Sequence, residues 1–343
     1  MNLEMGRPGL SVLMPNYNHS GYIGEALSAI LKQSYKPFEI IIIDDASTDN
    51  SIGIIQEFAE HNPSVRLIVN EKNTGVVDNL NRLLEIARGD YVYFAAADDK
   101  ILPHFFERSM DLLQRYPSAG LCSSLSLIID EEGRNRGLHP SLIISNHETF
   151  ITPEKVSNIL NTAGLWVMGN AAILKRKALL DSGGFISELH SFSDGFIYQV
   201  IALKYGACFI PEPLACWRRM DSGYALSTGT NPVLMNEIIR CAVQLMQTKY
   251  KDVFSRKYIK DFEKAQYFLM KLNYLSSVSC KTTLSVQNSF PFAVRTLQSI
   301  KRIFLLPYLF ILFRPRLSPI ITRKLNKYFH LLKFHTSRKI SVC

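Results

Sequence analysis

Short, β-branched apolar runs alternate with stretches of helical periodicity over the first 130 residues. Residues 10–14, 38–43, 65–69, 91–95 and 120–129 are rich in Ile, Val, Leu and Tyr and predict strands. The intervening residues 20–34, 50–61, 75–88 and 103–116 space their apolar positions as helices do. Ser20 and Asp49 or Asn50 are candidate N-caps, and Gly89 closes a helix before a strand. Strand–helix alternation of this kind predicts a parallel α/β sheet covered on both faces. From 130 to 225 the pattern loosens into a polar loop over 133–165 with a short helix near 153–161. Helical segments follow at 175–181 and 192–205, and a short strand at 207–210 is stopped by Pro211-Glu212-Pro213. Asn231-Pro232 then opens a helical pair over 231–278.

In parallel sheets ligands bind beyond the carboxyl ends of the strands. The unusual polar residues fall there: Pro15-Asn16-Tyr17-Asn18, Asp44-Asp45 and Asp98-Asp99. A charge is costly to bury unless it is paired or metal-bound, so carboxylate pairs at strand mouths imply a cation or a hydrogen-bonding ligand. Hard divalent ions take a few carboxylates together with phosphate oxygens. The competing reading is that such acids cap the helices that follow. It has more weight for Asp49 and Asn50 than for Asp98 and Asp99. No G-x-S-x-G, G-x-G-x-x-G or P-loop occurs, and the eight His residues form no HxxxH or HExxH pair.

These segments resemble the inverting glycosyltransferases of family 2, with the GT-A nucleotide-sugar-binding fold. The resemblance rests on residues 10–18 (LSVLMPNYN), 33–49 (QSYKPFEIIIIDDASTD), Asn73-Thr74-Gly75, Asn81, residues 87–91 (ARGDY) and Ala97-Asp98-Asp99. It covers about residues 8–225. It implies a GT-A body over 1–225, with a nucleotide-sugar half (1–130) and an acceptor half (131–225), followed by a helical region over 226–343. It implies that Pro15 and Tyr17 border the nucleotide base and that Asp45 hydrogen-bonds it. Asp98 then resembles the metal-binding acid of the family's DxD motif, with Asp99 beside it, although Ala96 occupies the first position. The implied cofactor is Mg²⁺ or Mn²⁺. Ser193-Asp194 resembles the Glu-Asp motif, making Asp194 the catalytic base; its other reading is a solvated acid opening a helix. Arg218 and Arg219 would neutralise the leaving diphosphate, with Met220 where a histidine often stands. Gly169 and Asn170 fall where acceptor-side walls are built, and Trp166 is a candidate sugar platform.

The implied activity is transfer of a sugar from a nucleotide-diphosphate donor, a UDP-sugar foremost. The acceptor is a glycan or lipid-linked molecule in cell-surface polysaccharide synthesis. A catalytically weak nucleotide-sugar-binding module and a nucleotidyltransferase on a related fold are the rival readings. A nucleotidyltransferase would want a Gly-rich loop after the first strand.

Composition changes the picture at one end of the chain. The 343 residues carry +9, but residues 264–343 hold 14 Lys and Arg with no acid. That leaves 25 basic against 30 acidic residues before them, a net of −5. Six scattered cysteines without a CxxC pair argue for reduced thiols in a cytosolic setting. Residues 1–10 lack the apolar run of a signal peptide. Within the basic tail, the uncharged run 303–313 is too short to span a bilayer and contains Pro307. Residues 320–334 interleave basic positions with Leu, Tyr and Phe, which suits an anionic membrane surface. The expected location is therefore cytoplasmic and peripheral on the inner face of the membrane, through residues 295–343. Docking to another glycan-assembly enzyme is the alternative use of the tail, and nothing in the body calls for nucleic acid.

Overall fold

Each apolar run of the first 130 residues forms the strand its pattern predicts in a computed structural model. The structure describes residues 7–139, 142–164, 166–220 and 223–267. In chain order these are β1 (Leu10–Asn16), α1 (Ile23–Leu31), β2 (Glu39–Asp44), α2 (Ser51–His61), β3 (Val65–Val69), α3 (Val76–Ile86) and β4 (Tyr91–Phe94). Then come β5 (Lys100–Ile101), α4 (Phe105–Arg115), β6 (Leu121–Ile129), β7 (Asn135–Leu138), β8 (Thr149–Ile151) and α5 (Pro153–Thr162). After a 3₁₀ turn at Gly169–Ala171 follow β9 (Ala172–Lys175) and α6 (Arg176–Asp181). A second 3₁₀ segment, Ser187–Phe192, leads into α7 (Ser193–Tyr205), β10 (Ala207–Arg218), α8 (Tyr224–Thr230) and α9 (Pro232–Gln247).

The strands run β3-β2-β1-β4-β9-β6-β10-β5, with β7 on β6 and β8 on β10. The first four are mutually parallel, as are β6 and β10. Side chains of a strand alternate between faces, so a continuous apolar run feeds two cores. Leu13, Ile41, Ile43 and Val92 enter the core on one face. Val12, Met14, Ile40, Ile42 and Tyr93 enter the core on the other. The sheet thus has helices on both sides, as the alternation predicts.

Three features depart from the sequence reading. First, β9 enters the middle of the sheet antiparallel to both β4 and β6, inside a segment without a strand signal. Second, Pro211-Glu212-Pro213 does not end the strand, because β10 continues to Arg218 with register shifts around Pro213. Proline is tolerated at such bulges. On one side β10 is paired by β8 at 207–209 and by β5 at 215–216, so the prolines lie between its two partners. Third, the boundary at 225 does not separate two bodies, since all described residues belong to one compact unit. The reason is packing: Ile238, Ala242, Met246, Tyr250, Phe254, Tyr258 and Phe262 all join the core of the sheet's helical layer.

Asn231 caps α9 as its position before Pro232 predicts, accepting from Val233 and Leu234 N–H at 3.1 and 3.2 Å. A further helical stretch occupies 256–267. The end of the predicted helical pair and the whole basic tail over 295–343 lie outside the described residues, as do residues 1–6. Among the described residues no helix is long and apolar enough to cross a membrane.

Candidate active site

The carboxyl ends of β1 and β2 are tied to each other and to the loop after β3. Asn16 Nδ2 donates to Asp44 Oδ2 at 2.7 Å, and Ser47 donates to both oxygens of Asp44. Asn18, at φ 57°, uses its side-chain oxygen to accept from Thr48 N–H at 2.8 Å. Asp45 is buried, and its carboxylate accepts from Asn70 Nδ2, from Thr74 N–H and Oγ1, and from Gly75 N–H, at 2.8–3.1 Å. Burial alone would raise its pKa, but these donors, Thr74 first, hold it below the ordinary value. Asp49 accepts from Ser20 N–H and Ser51 N–H, bridging the starts of α1 and α2. Burial opposes this, yet the hydrogen bonds bring its pKa down to about 2. Ser20 itself caps nothing; the N-cap position of α1 is Tyr22.

Next to this network opens a cavity of about 660 Å³, lined by Pro15, Asp98, Asp99, Gly169, Asn170, Asp194, Arg218 and Arg219 among others. Eight positions scattered over two hundred residues of sequence are brought to one space. The loop after β4 carries Asp98 and Asp99. Asp99 is buried, and its Oδ1 accepts from Arg218 N–H at 2.7 Å. Burial first, and then the Asp98 charge, push its pKa well above the carboxylate range; hydrogen bonds from Arg218 and Asn170 pull the other way. Asp98 is partly buried, and among the described residues no donor reaches its carboxylate.

Arg218 lines the cavity but spends its guanidinium on the protein. It donates to the carbonyls of Asp98, Asp130 and Glu131 at 2.7–3.0 Å and to Glu25 at 2.5 Å, and it lies over the Tyr22 ring. Four of its five N–H groups are committed, so the arginine anchors the acid loop to α1. Arg219 is exposed and makes no ion pair among the described residues, leaving it as the cation available to an anionic ligand.

Asp194 stands in the first turn of α7, where its Oδ1 accepts from Gly195 N–H at 2.6 Å. It does open a helix, but it also faces the cavity. Burial raises its pKa against that hydrogen bond. Its other oxygen lies against the Gly169 turn: a Cβ on Gly169 would fall 2.4 Å from Oδ2. Ser193, at the position of the motif's glutamate, instead accepts from Ile186 N–H at 2.7 Å and closes the preceding loop.

Three expected residues stand elsewhere. Tyr17 is exposed, and neither it nor Asp45 lines the cavity. Trp166 is 2% exposed and packs edge-on to Phe209 at 5.7 Å, so its faces belong to the core and offer no sugar platform. Phe185 and Trp217, which the resemblance places on the acceptor-side wall and in the arginine stretch, line the cavity, and so do His139, His190 and Tyr198, which no motif marks. Trp217 reaches it because β10 runs past the prolines, and His139 meets its ring edge-on at 5.5 Å. His190 takes φ 48°, ψ −127°, a strained backbone for a residue with a Cβ, four residues before Asp194. Only the positive φ itself, invisible in sequence, marks it.

Comparison with known proteins follows this geometry. Residues 11–181 match the family described as Glycosyl transferase family 2. TuaG of Bacillus subtilis, provisionally named a teichuronic acid biosynthesis glycosyltransferase, is 31% identical over 125 residues, covering 36% of this chain and 50% of that protein. The chain spans 49% to 69% of the length of the first curated relatives it matches. Among solved structures, Staphylococcus aureus TarS 1–349 in complex with UDP-GlcNAc superposes with a TM-score of 0.58 at 20% identity, over 70% of this chain and 67% of that one. The mannosyltransferase PcManGT of Pyrobaculum calidifontis, in complex with GDP-Man and Mn²⁺, gives 0.51 at 20% identity, over 90% and 84%. At these identities the two structures speak to the fold.

Proposed function

The chain belongs to glycosyl transferase family 2, and on that premise we propose that it is an inverting, divalent-cation-dependent glycosyltransferase using a UDP-sugar. The acceptor is a glycan or lipid-linked molecule of cell-wall polysaccharide synthesis, by analogy with TuaG. The observation that carries this reading is the opposition of two kinds of carboxylate across one cavity. Asp98, whose carboxylate meets no donor among the described residues, lies on the strand-end side, and Asp194 on the α7 side.

Single-displacement transfer needs charge stabilisation on the departing diphosphate and a base for the acceptor hydroxyl. It needs no carboxylate nucleophile. Asp194 is suited to the base role. Burial makes its carboxylate more basic, and the bare Gly169 turn keeps Oδ2 uncovered by a side chain. Arg219 supplies a positive charge at the cavity wall, and Arg218 holds the acid loop against α1. Pro15 at the end of β1 borders the nucleotide side. Asp45 contributes there through the β3–α3 loop that its carboxylate holds.

The donor set fits a hard divalent cation. Among the described residues no group of three His, Cys, Asp or Glu could hold a metal. One open carboxylate, Asp98, with Asp99 beside it, matches an ion that takes most of its ligands from phosphate oxygens and water. Such an ion, when bound, supplies charge neutralisation at the diphosphate.

The test is turnover of UDP-sugars with Mn²⁺ or Mg²⁺, read as UDP release. Asp194→Asn should lower kcat by about 10²–10⁴ while UDP binding persists. Because the base must be ionised and its pKa is raised, activity should fall on acidification at a pH above the 3.8 of an ordinary aspartate. Wild-type turnover by Asp194→Asn would refute the assignment. Absence of turnover with every nucleotide sugar would favour a binding module.

A further inference from the structure

Tyr198 stands one helical turn after Asp194 on α7, and both residues line the cavity. Residues four apart share a helix face, and helical side chains lean back over the preceding turn. The Tyr198 side chain is therefore directed at the turn that carries Asp194. Its electrostatics report the same proximity: burial first, and then the Asp194 charge, push the phenol's pKa up, which keeps it a donor. Tyr198 is 2% exposed, with its ring beside that of Phe185. What sets it apart is the hydroxyl. Of the four most buried tyrosines among the described residues, three donate to a backbone carbonyl: Tyr35 to Pro8, Tyr93 to Asn170 and Tyr250 to Ser182. Tyr198, the fourth, makes no hydrogen bond among the described residues, not even to Asp194. Its oxygen is nevertheless not sealed in: the buried unpaired side-chain atoms are Asn16 Oδ1, His19 Nδ1, Ser109 Oγ, Asn170 Oδ1 and Ser182 Oγ. The small surface that Tyr198 keeps thus includes its hydroxyl, and the space it meets is the cavity. A phenylalanine would fill the same core, so the fold does not use this group.

A donor beside a base has an evident use. The base takes the proton of the attacking hydroxyl, and the rate depends on how closely that oxygen is oriented. A hydroxyl oxygen has two lone pairs, one for the bond to the sugar and one left to accept. We propose that Tyr198 O–H donates to the attacking oxygen, the acceptor's hydroxyl or the water that takes its place, while Asp194 receives its proton. This rests on the proposed glycosyltransferase reading. The acceptor's O–H bond breaks as its oxygen bonds to the sugar carbon, and the electron pair of the old C–O bond leaves with UDP. Tyr198 keeps its own proton throughout and fixes where the oxygen stands.

The test is UDP release from UDP-GlcNAc, UDP-glucose and UDP-galactose with Mn²⁺, water serving as the acceptor. Tyr198→Phe keeps the ring and breaks no hydrogen bond among the described residues, so its Tm should match that of the wild type. For a donor that the wild type turns over, kcat should fall about fivefold to tenfold. The calorimetric Kd of that donor should change by less than about twofold, because the contact is to the attacking oxygen. The acid limb of the pH–rate profile should stay in place, since the hydroxyl makes no bond to the Asp194 carboxylate. Wild-type kcat in Tyr198→Phe, a loss confined to donor affinity, or a displaced acid limb with the plateau intact would each overturn the inference. So would a lowered Tm, which would assign the hydroxyl to the fold. All four outcomes leave the proposed function standing. A wild type that releases UDP from none of these donors fails the proposed function, and the inference falls with it.

Discussion

Two Asp-Asp pairs end two strands of the same parallel sheet, β2 and β4, with β1 between them. Both follow an apolar run, and in sequence they are equivalent. In the folded chain they diverge. Asp44 and Asp45 are saturated by Asn16, Ser47, Asn70, Thr74 and Gly75, and neither lines the cavity. Among the described residues no donor reaches the Asp98 carboxylate, and Asp99 is steadied by Arg218 and Asn170 beside it. A strand-end acid shapes a loop or serves a ligand according to how many donors the following residues return to it. Ala46-Ser47-Thr48 turns back onto Asp44, whereas Lys100-Ile101 leaves as β5 and offers Asp98 nothing.

The sharpest way to test this contrast is to remove one acid from each pair. Asp98→Ala should cost about 10²–10³ in kcat/KM and leave thermal stability near wild type, since no donor among the described residues is orphaned. Asp45→Ala should do the reverse. It orphans partly buried donors on Asn70, Thr74 and Gly75, and should destabilise by about 2–3 kcal/mol in denaturant unfolding. A stable Asp45→Ala with lost nucleotide binding would break the contrast and restore the base-binding role implied by the family resemblance. The smallest effect is expected at Asp49. Asp49→Ala removes the acceptor shared by Ser20 and Ser51 and should cost about 1 kcal/mol. The sign with pH follows from its lowered pKa. Asp49's contribution is whole above the unfolded value near 3.8 and is lost as pH falls toward about 2. Unfolding curves of the variant and wild type should therefore converge in acid.

Sequence carried the first 130 residues well because their periodicities are unambiguous. Ile40–Ile43 can only be a strand buried on both faces, and Val76–Ile86 presents one apolar side. It also brought forward Asp98, Asp99, Asn170 and Asp194, which share one cavity. What stayed hidden depends on long-range pairing. Ala172–Lys175 is four residues long, and only its neighbours β4 and β6 make it a strand. Pro213 reads as a terminator until its place at a bulge is seen, and with β10 cut short Trp217 and Arg218 lose their location. Trp166 and Trp217 are indistinguishable by type; burial decides that the second faces the cavity. Arg218 pairs with backbone carbonyls, which no residue pattern announces.

The reversed strand β9 also has a consequence for the order in which the chain is made. Pairs formed by β1, β2, β3 and β4 involve only the first 94 residues, but β4 and β6 are joined through residues 172–175. A nascent chain that has not reached Ala172 therefore carries an unpaired edge on β4, and its β6 lacks both β9 and β10. Such edges are templates for association with other chains. Joining β4 to β6 through β9 sets the Gly169–Asn170 turn at the cavity, and α7 with Asp194 follows later in the chain. The insertion of β9 thus begins a cavity that α7 and β10 complete, and the half-made protein lacks it.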